Sequence, residues 1–286
     1  MARIDGKEAA REAVMTAAKL SVAAAYRAPQ VTGRMALKAE IITGEDLAPI
    51  VEYFEAIIPV SPVMYFDYQS LKYFLNRDDP PPILLLAADL TRSELGWDCG
   101  ACGFATCAEF NAYANKHRSS GTLWAGPTCN WKLIDFAAAC DFACAAVAQY
   151  RFDCRAMGTL GKAAAGVGYL PGCSAHIGIP IGPAGDFKWF SRSQNIKTAT
   201  KEMHMDWMIQ TSPTMWQAFP GSTKPCTKNK QNWWQDMEYV KFEPLSDEQM
   251  TAVGTTIEKV KAVSDKHVPK VGAWYEKKKK HDCSTL

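Results

Sequence analysis

Ile83-Leu-Leu-Leu-Ala-Ala-Asp-Leu-Thr-Arg-Ser-Glu-Leu-Gly-Trp-Asp-Cys-Gly-Ala-Cys-Gly-Phe-Ala-Thr-Cys107 runs a short apolar stretch directly into three closely spaced cysteines. Ile83 to Ala88 follows the hard break Asp78-Asp-Pro-Pro-Pro82 and reads as a buried strand. Cys99, Cys102 and Cys107, with Cys129 further on, form C-x2-C-x4-C-x21-C. Three thiolates within nine residues can wrap one small inorganic centre, and the fourth closes it. Gly100 and Gly103 follow the first two cysteines and free the backbone to turn its N–H groups towards sulfur. This is the pattern of a four-cysteine [4Fe-4S] site. The rivals are structural zinc and unliganded thiols. Zinc sites usually pair two tight cysteine knuckles, whereas only one tight pair is present here.

Bulk properties narrow the rest. A chain of 286 residues can bury a full core, and 48% hydrophobic with 22% charged residues fits an ordinary globular protein. A net charge of +2 gives no electrostatic case for nucleic acid or a membrane surface. The basic run Lys277–Lys280 reads as a solvated tail. No apolar run is long enough to span a bilayer, and the N-terminus lacks a signal-peptide core. Ten cysteines in a leaderless chain lead us to expect a reducing cytoplasm, and an oxygen-poor organism fits.

Periodicity predicts a helix over 6–26 with a stripe of Val14, Ala17, Ala18, Ser21, Val22 and Ala25. Ala39–Ile42 is a strand candidate, and helices follow to about Ile57 and over Ser61–Asn76. After the cysteine triplet come a helix over 108–116 and a loop delivering Cys129. The helix Asn130–Tyr150 is apolar nearly all round and therefore central or at a subunit interface. Leu160–Val167 and His176–Ile181 read as helix and strand. Residues 194–245 are polar and weakly periodic but carry Trp207, Trp216, Trp233 and Trp234, so they read as an arm laid over another surface. A final amphipathic helix over 246–268 places Met250, Val253, Ile257, Val260 and Val263 on one face.

The motif Cys-Gly-x-Cys-Gly-x-x-x-Cys-x-x-Phe-x-Ala resembles the cluster domain of corrinoid iron–sulfur proteins and of the B subunit of the Rnf complex. A wider resemblance covers about residues 8–193. It rests on Ala23-Ala-Ala-Tyr-Arg-Ala-Pro29, Glu40-Ile-Ile-Thr-Gly44, Trp97–Phe104, Leu133-Ile-Asp135, Asp153-Cys-Arg-Ala-Met157 and Gly178–Gly185 with Arg192. These look like a prokaryotic family of uncharacterised proteins containing a ferredoxin domain. That family in turn resembles flavin nitroreductases in outline: a first helix, a cofactor loop, a buried central helix, and a strand with a Gly-x-Pro turn. The outline admits FMN near Arg27–Gly33, with Lys188 and Arg192 nominated by analogy for its phosphate. The N-terminal arginine cluster that grips the phosphate in nitroreductases is absent. Without flavin, Arg192 is a surface or interface arginine.

The expected architecture is therefore α/β (α+β): a nitroreductase-like layered sheet with helices, an inserted [4Fe-4S] segment at 97–130, and a C-terminal arm. Residues 1–193 form one unit and 194–286 the arm and last helix. Cys140, Cys144, Cys154 and Cys173 read as core packing ahead of a second metal site, and Cys226 and Cys283 as free thiols. His117 and His176 show no catalytic partner, and Asp153 with Arg155 reads first as a structural ion pair. The function expected is an iron–sulfur electron-transfer protein, possible flavin included, as a homodimer or a subunit of a redox complex. The alternative is a non-enzymatic accessory or assembly subunit with a structural cluster.

Overall fold

The computed structural model describes residues 3–33, 35–61, 63–75, 80–120, 124–182 and 246–282. Lys188, Arg192, the tryptophans of 194–245, Cys226 and Cys283 lie outside these residues.

The central feature is the strand expected from the sequence. β2 (Ile83–Ala88) is buried at all six positions. It pairs antiparallel with β1 (Lys38–Ile42) on one side and with β5 (Ala175–Pro180) on the other, giving the order β1-β2-β5, while β3 (Ser119–Ser120) and β4 (Ala125–Gly126) pair separately. Because successive side chains of a strand point to opposite faces, β2 serves two cores at once. Ile83, Leu85 and Ala87 join one cluster, in which α2 (Ala48–Ile57), α3 (Val63–Leu75) and α6 (Gly158–Gly166) supply Ile50, Phe54, Met64, Leu71, Leu160 and Val167. Leu84, Leu86 and Ala88 join the other, with α1 (Gly6–Arg27) and α5 (Asn130–Gln149). Helices on both faces of an antiparallel sheet make this an α+β fold.

α1 starts at Asp5, whose carboxylate caps the N–H groups of Lys7 and Glu8. Its small stripe of Ala17, Ala18, Ser21 and Ala25 is buried, and α1 packs closely along α5. The absence of bulky side chains at this seam lets the two backbones approach. α5 is less uniformly enclosed than its composition suggested. Phe136, Ala139, Cys140, Ala143 and Val147 are buried, while Ile134 is 52% and Phe142 41% exposed on the opposite side.

α6 lies against β5 at unusually short range. A Cβ at Gly161 would stand 2.1 Å from the carbonyl oxygen of His176, inside the sheet backbone itself. His176 is a core histidine: burial holds its imidazole below the ordinary value, and Nε2 lies 3.1 Å from the Leu170 carbonyl oxygen.

The last described helix, α7 (Asp247–Asp282), is longer than the 246–268 expected and continues through Pro269. Its seam also differs. Met250 and Ile257 are 54% and 60% exposed, whereas Thr256 and His267 are buried and Val260, Val263 and Val271 pack on the core. The seam is set by a half-buried polar contact that hydropathy does not reveal. Glu52 accepts from Lys266 at 2.8 Å and contacts His267 Nε2 at 2.8 Å. Those two bonds hold the Glu52 carboxyl below its ordinary value. Tyr275 completes the attachment, accepting from the Leu170 N–H at 2.7 Å and donating to Glu40 at 2.5 Å. α7 thus covers the chain's own body.

Candidate metal centre

Beyond β2 the chain leaves the sheet, and the cysteine segment is built there with a small core of its own. Phe110, Ala114 and Cys129 are buried together, flanked by Leu95, Cys102, Phe104 and Trp131. Cys99, Cys102, Cys107 and Cys129 all line one small cavity. The cavity is otherwise walled chiefly by Trp97, Phe104, Phe110 and Trp131. Cys99 is exposed, Cys102 and Cys107 are half-buried, and Cys129 is buried.

Cys107 and Cys129 are positioned by hydrogen bonds of their backbone N–H groups. Cys129 N–H donates to the Leu90 carbonyl at 2.8 Å, tying the fourth cysteine to the end of the central strand. Ser93 is clasped by Asn111, which accepts from its N–H at 2.8 Å and donates to its carbonyl at 2.7 Å. Asp98, at φ +48°, accepts the N–H of Cys107 at 2.7 Å. Gly100 and Gly103 have φ of +71° and +88°, and the Gly103 N–H closes a turn on the Gly100 carbonyl at 2.9 Å. A Cβ at either glycine would meet open space, so the requirement there is the left-handed dihedral and not room.

Cys107 is the first residue of α4 (Cys107–His117), which a Thr106–Glu109 capping box starts. Cys129 is the residue before α5. Two helix N-termini, the positive ends of their dipoles, therefore meet the cavity and favour negative charge in it. The Cys107 thiol is held below its ordinary value, first by the Ser93 hydroxyl 3.4 Å from its sulfur and then by the N–H of Asp98. The N–H groups of Trp97 and Gly96 act in the same sense. One donor is left over. The buried indole nitrogen of Trp131 has no acceptor among the described residues, an omission that ordinarily costs about 1–3 kcal/mol.

Tetrahedral zinc with sulfur bonds near 2.3 Å draws its sulfurs to about 3.8 Å from each other. Among the described residues, no three His, Cys, Asp or Glu side chains converge on one ion position. The four thiols stand around one shared cavity, with the unpaired Trp131 N–H in the residues that line it.

Sequence reasoning found the four cysteines and the two glycines. It missed Ser93, Asp98, Asn111 and Trp131. Trp131 carried a signal, since it lies two residues after the last cysteine in a segment otherwise rich in small residues. The pair Glu94 and Lys132, 2.7 Å apart with Lys132 buried, was also unseen. Cys140, Cys144 and Cys154 belong to the α1/α5 core or pack against it. Burial and then the neighbouring Cys144 push the Cys140 thiol up to about 12.

In the loop nominated for the flavin, two backbone N–H groups are held by α5. Asp135 on α5 is buried and accepts from the N–H of Val31 at 2.7 Å, the N–H of Thr32 at 3.1 Å and the Thr32 hydroxyl at 2.6 Å. Those N–H groups are committed to a carboxylate. Asp135→Asn keeps one acceptor oxygen and gives up the second. It should lower stability by about 1–2 kcal/mol, read as a Tm lower by roughly 3–6 °C, with the metal content unchanged. An unchanged Tm would mean the clasp contributes nothing.

A comparison with known proteins bears on the second half of this site. Residues 125–192 match the model of a family described as uncharacterised proteins containing a ferredoxin domain. That is the family the sequence resemblance named. The ferredoxin-domain match takes in Cys129, α5, α6 and β5, and it begins after the triplet Cys99–Cys107. An uncharacterised protein of Archaeoglobus fulgidus is 27% identical over 191 residues, covering 66% of this chain and 97% of its own length. No solved structure matches the chain. The nitroreductase outline therefore rests on sequence resemblance alone.

Proposed function

We propose that this chain is an iron–sulfur electron-transfer protein in which Cys99, Cys102, Cys107 and Cys129 hold one [4Fe-4S] cluster. The observation that carries this reading is the convergence of these four thiols on one aromatic-walled cavity at two helix N-termini. The ferredoxin-domain description of the matching family supports it. Such a cluster supplies reversible one-electron transfer.

The protein's own part is to hold and shield. The N–H groups around Cys107 and the Ser93 hydroxyl stabilise a thiolate there. Phe104, Phe110 and Trp131 exclude water from the inner side. Cys99 is exposed, and Trp97 beside it is 50% exposed, so the outer side is open to a partner. We take residues 1–193 as the unit that carries the centre at 97–130, working in an oxygen-poor cytoplasm as a homodimer or docked to a redox complex. FMN remains a second part of the proposal through Lys188 and Arg192, with the flavin resemblance as its support.

Protein purified without oxygen should carry about four iron and four sulfide per chain. Near-stoichiometric zinc in freshly isolated protein would overturn the cluster. The supernatant of heated protein tests the flavin: absence of FMN fluorescence, with no binding of added FMN, removes it.

A further inference from the structure

Trp131 lines the four-cysteine cavity, and its indole nitrogen is buried with no acceptor among the described residues. Elsewhere in the chain the same group is satisfied: Trp124 Nε1 donates to the His176 carbonyl at 3.1 Å. A buried indole N–H normally finds a partner. The Trp131 ring is fixed in place. It stands in the first turn of α5, two residues beyond Cys129, and Trp97 packs edge-on against it with centroids 6.1 Å apart. A group filling the cavity that Trp131 lines would supply the acceptor it lacks among the described residues. A neutral thiol is a weak acceptor, whereas a thiolate or sulfide is a charged one.

We propose that the Trp131 indole N–H donates a hydrogen bond to a sulfur of the cluster and so sets the centre's reduction potential. This rests on the cluster reading above. A donor aimed at an anionic centre stabilises its reduced, more negative state more than its oxidised state. The bond therefore raises the potential, and Trp131 serves as a tuning contact to the cofactor.

The test uses the full chain, purified without oxygen, and its Trp131→Phe variant, which keeps an aromatic ring but lacks the donor. The expected result is equal iron and sulfide in both, with reduction of the variant disfavoured about tenfold, a potential lower by about 59 mV for one electron. Pulsed EPR of the reduced, unaltered protein, labelled with 15N-tryptophan, should show coupling to an indole nitrogen and to an exchangeable proton. Both couplings should vanish in the variant. If the unaltered protein holds a cluster but shows no such coupling, the bond is absent and the inference falls while the cluster reading stands. An unchanged potential in a fully loaded variant defeats the tuning role. Should the variant fail to hold its cluster, the coupling in the unaltered protein decides alone. If the unaltered protein has no iron and sulfide, the cluster reading fails first.

Discussion

Cys102→Ala is expected to abolish the four-iron centre, leaving a three-iron form or no iron. The half-buried Cys102 lies midway in the triplet and packs into the small core of Phe110, Ala114 and Cys129. Among the described residues no other cysteine lines the cavity, so none of them stands ready as a substitute ligand. The fold should survive, because both main cores lie on the two faces of β2 and neither contains this residue. Iron and sulfide analysis, visible absorbance and far-UV circular dichroism together check this. The expected pattern is lost iron with unchanged helix signal. Cys140→Ala is the control: it lies in the α1/α5 core and should keep its iron. Four iron retained in Cys102→Ala would remove Cys102 from the ligand set.

Gly161→Ala should be strongly destabilising, although helix propensity alone says the reverse. Glycine inside a helix is about 1 kcal/mol worse than alanine, so the substitution in an exposed helix would stabilise. Here the new Cβ would stand 2.1 Å from the His176 carbonyl oxygen and 2.7 Å from the Ile177 nitrogen. Those atoms belong to β5, which is paired to β2 along its length and cannot yield without disturbing the register. Overpacking against backbone outweighs propensity, and a net loss of about 3 kcal/mol is expected. A lower urea midpoint with unchanged slope would show it. Unaltered or raised stability would mean that α6 does not rest on β5 at this distance.

Much of the architecture was legible because its determinants are local. The run Ile83–Ala88 between prolines and Asp89 could only be a buried strand, and the alanine stripe of α1 announced a close helix partner. The spacing of Cys99, Cys102 and Cys107, with glycine after the first two, specified a turn that brings three thiols to the lining of one cavity. Motif and dihedral agree there, since both glycines adopt positive φ.

The seam of α7 was misplaced for a physical reason. Hydropathy placed Met250 and Ile257 inside, but the contact of Lys266 and His267 with Glu52 rotates the helix so that Thr256 faces the body. A partner more than two hundred residues away leaves no mark on local periodicity. The clasp of Asp135 on Val31 and Thr32 is the same kind of case. An acidic residue near the start of an apolar helix has no visible purpose until the loop 103 or 104 residues earlier is brought against it.

The sequence by itself determined the strands and helices of the sheet layer and the four thiols of the candidate centre, because periodicity and ligand spacing are properties of short stretches. Only the tertiary structure decided which helices cover each face of β2, how Cys129 reaches the triplet, and that the Trp131 indole nitrogen lies buried beside it without an acceptor among the described residues. Those are long-range packing outcomes, and they exist only once distant segments share one interior.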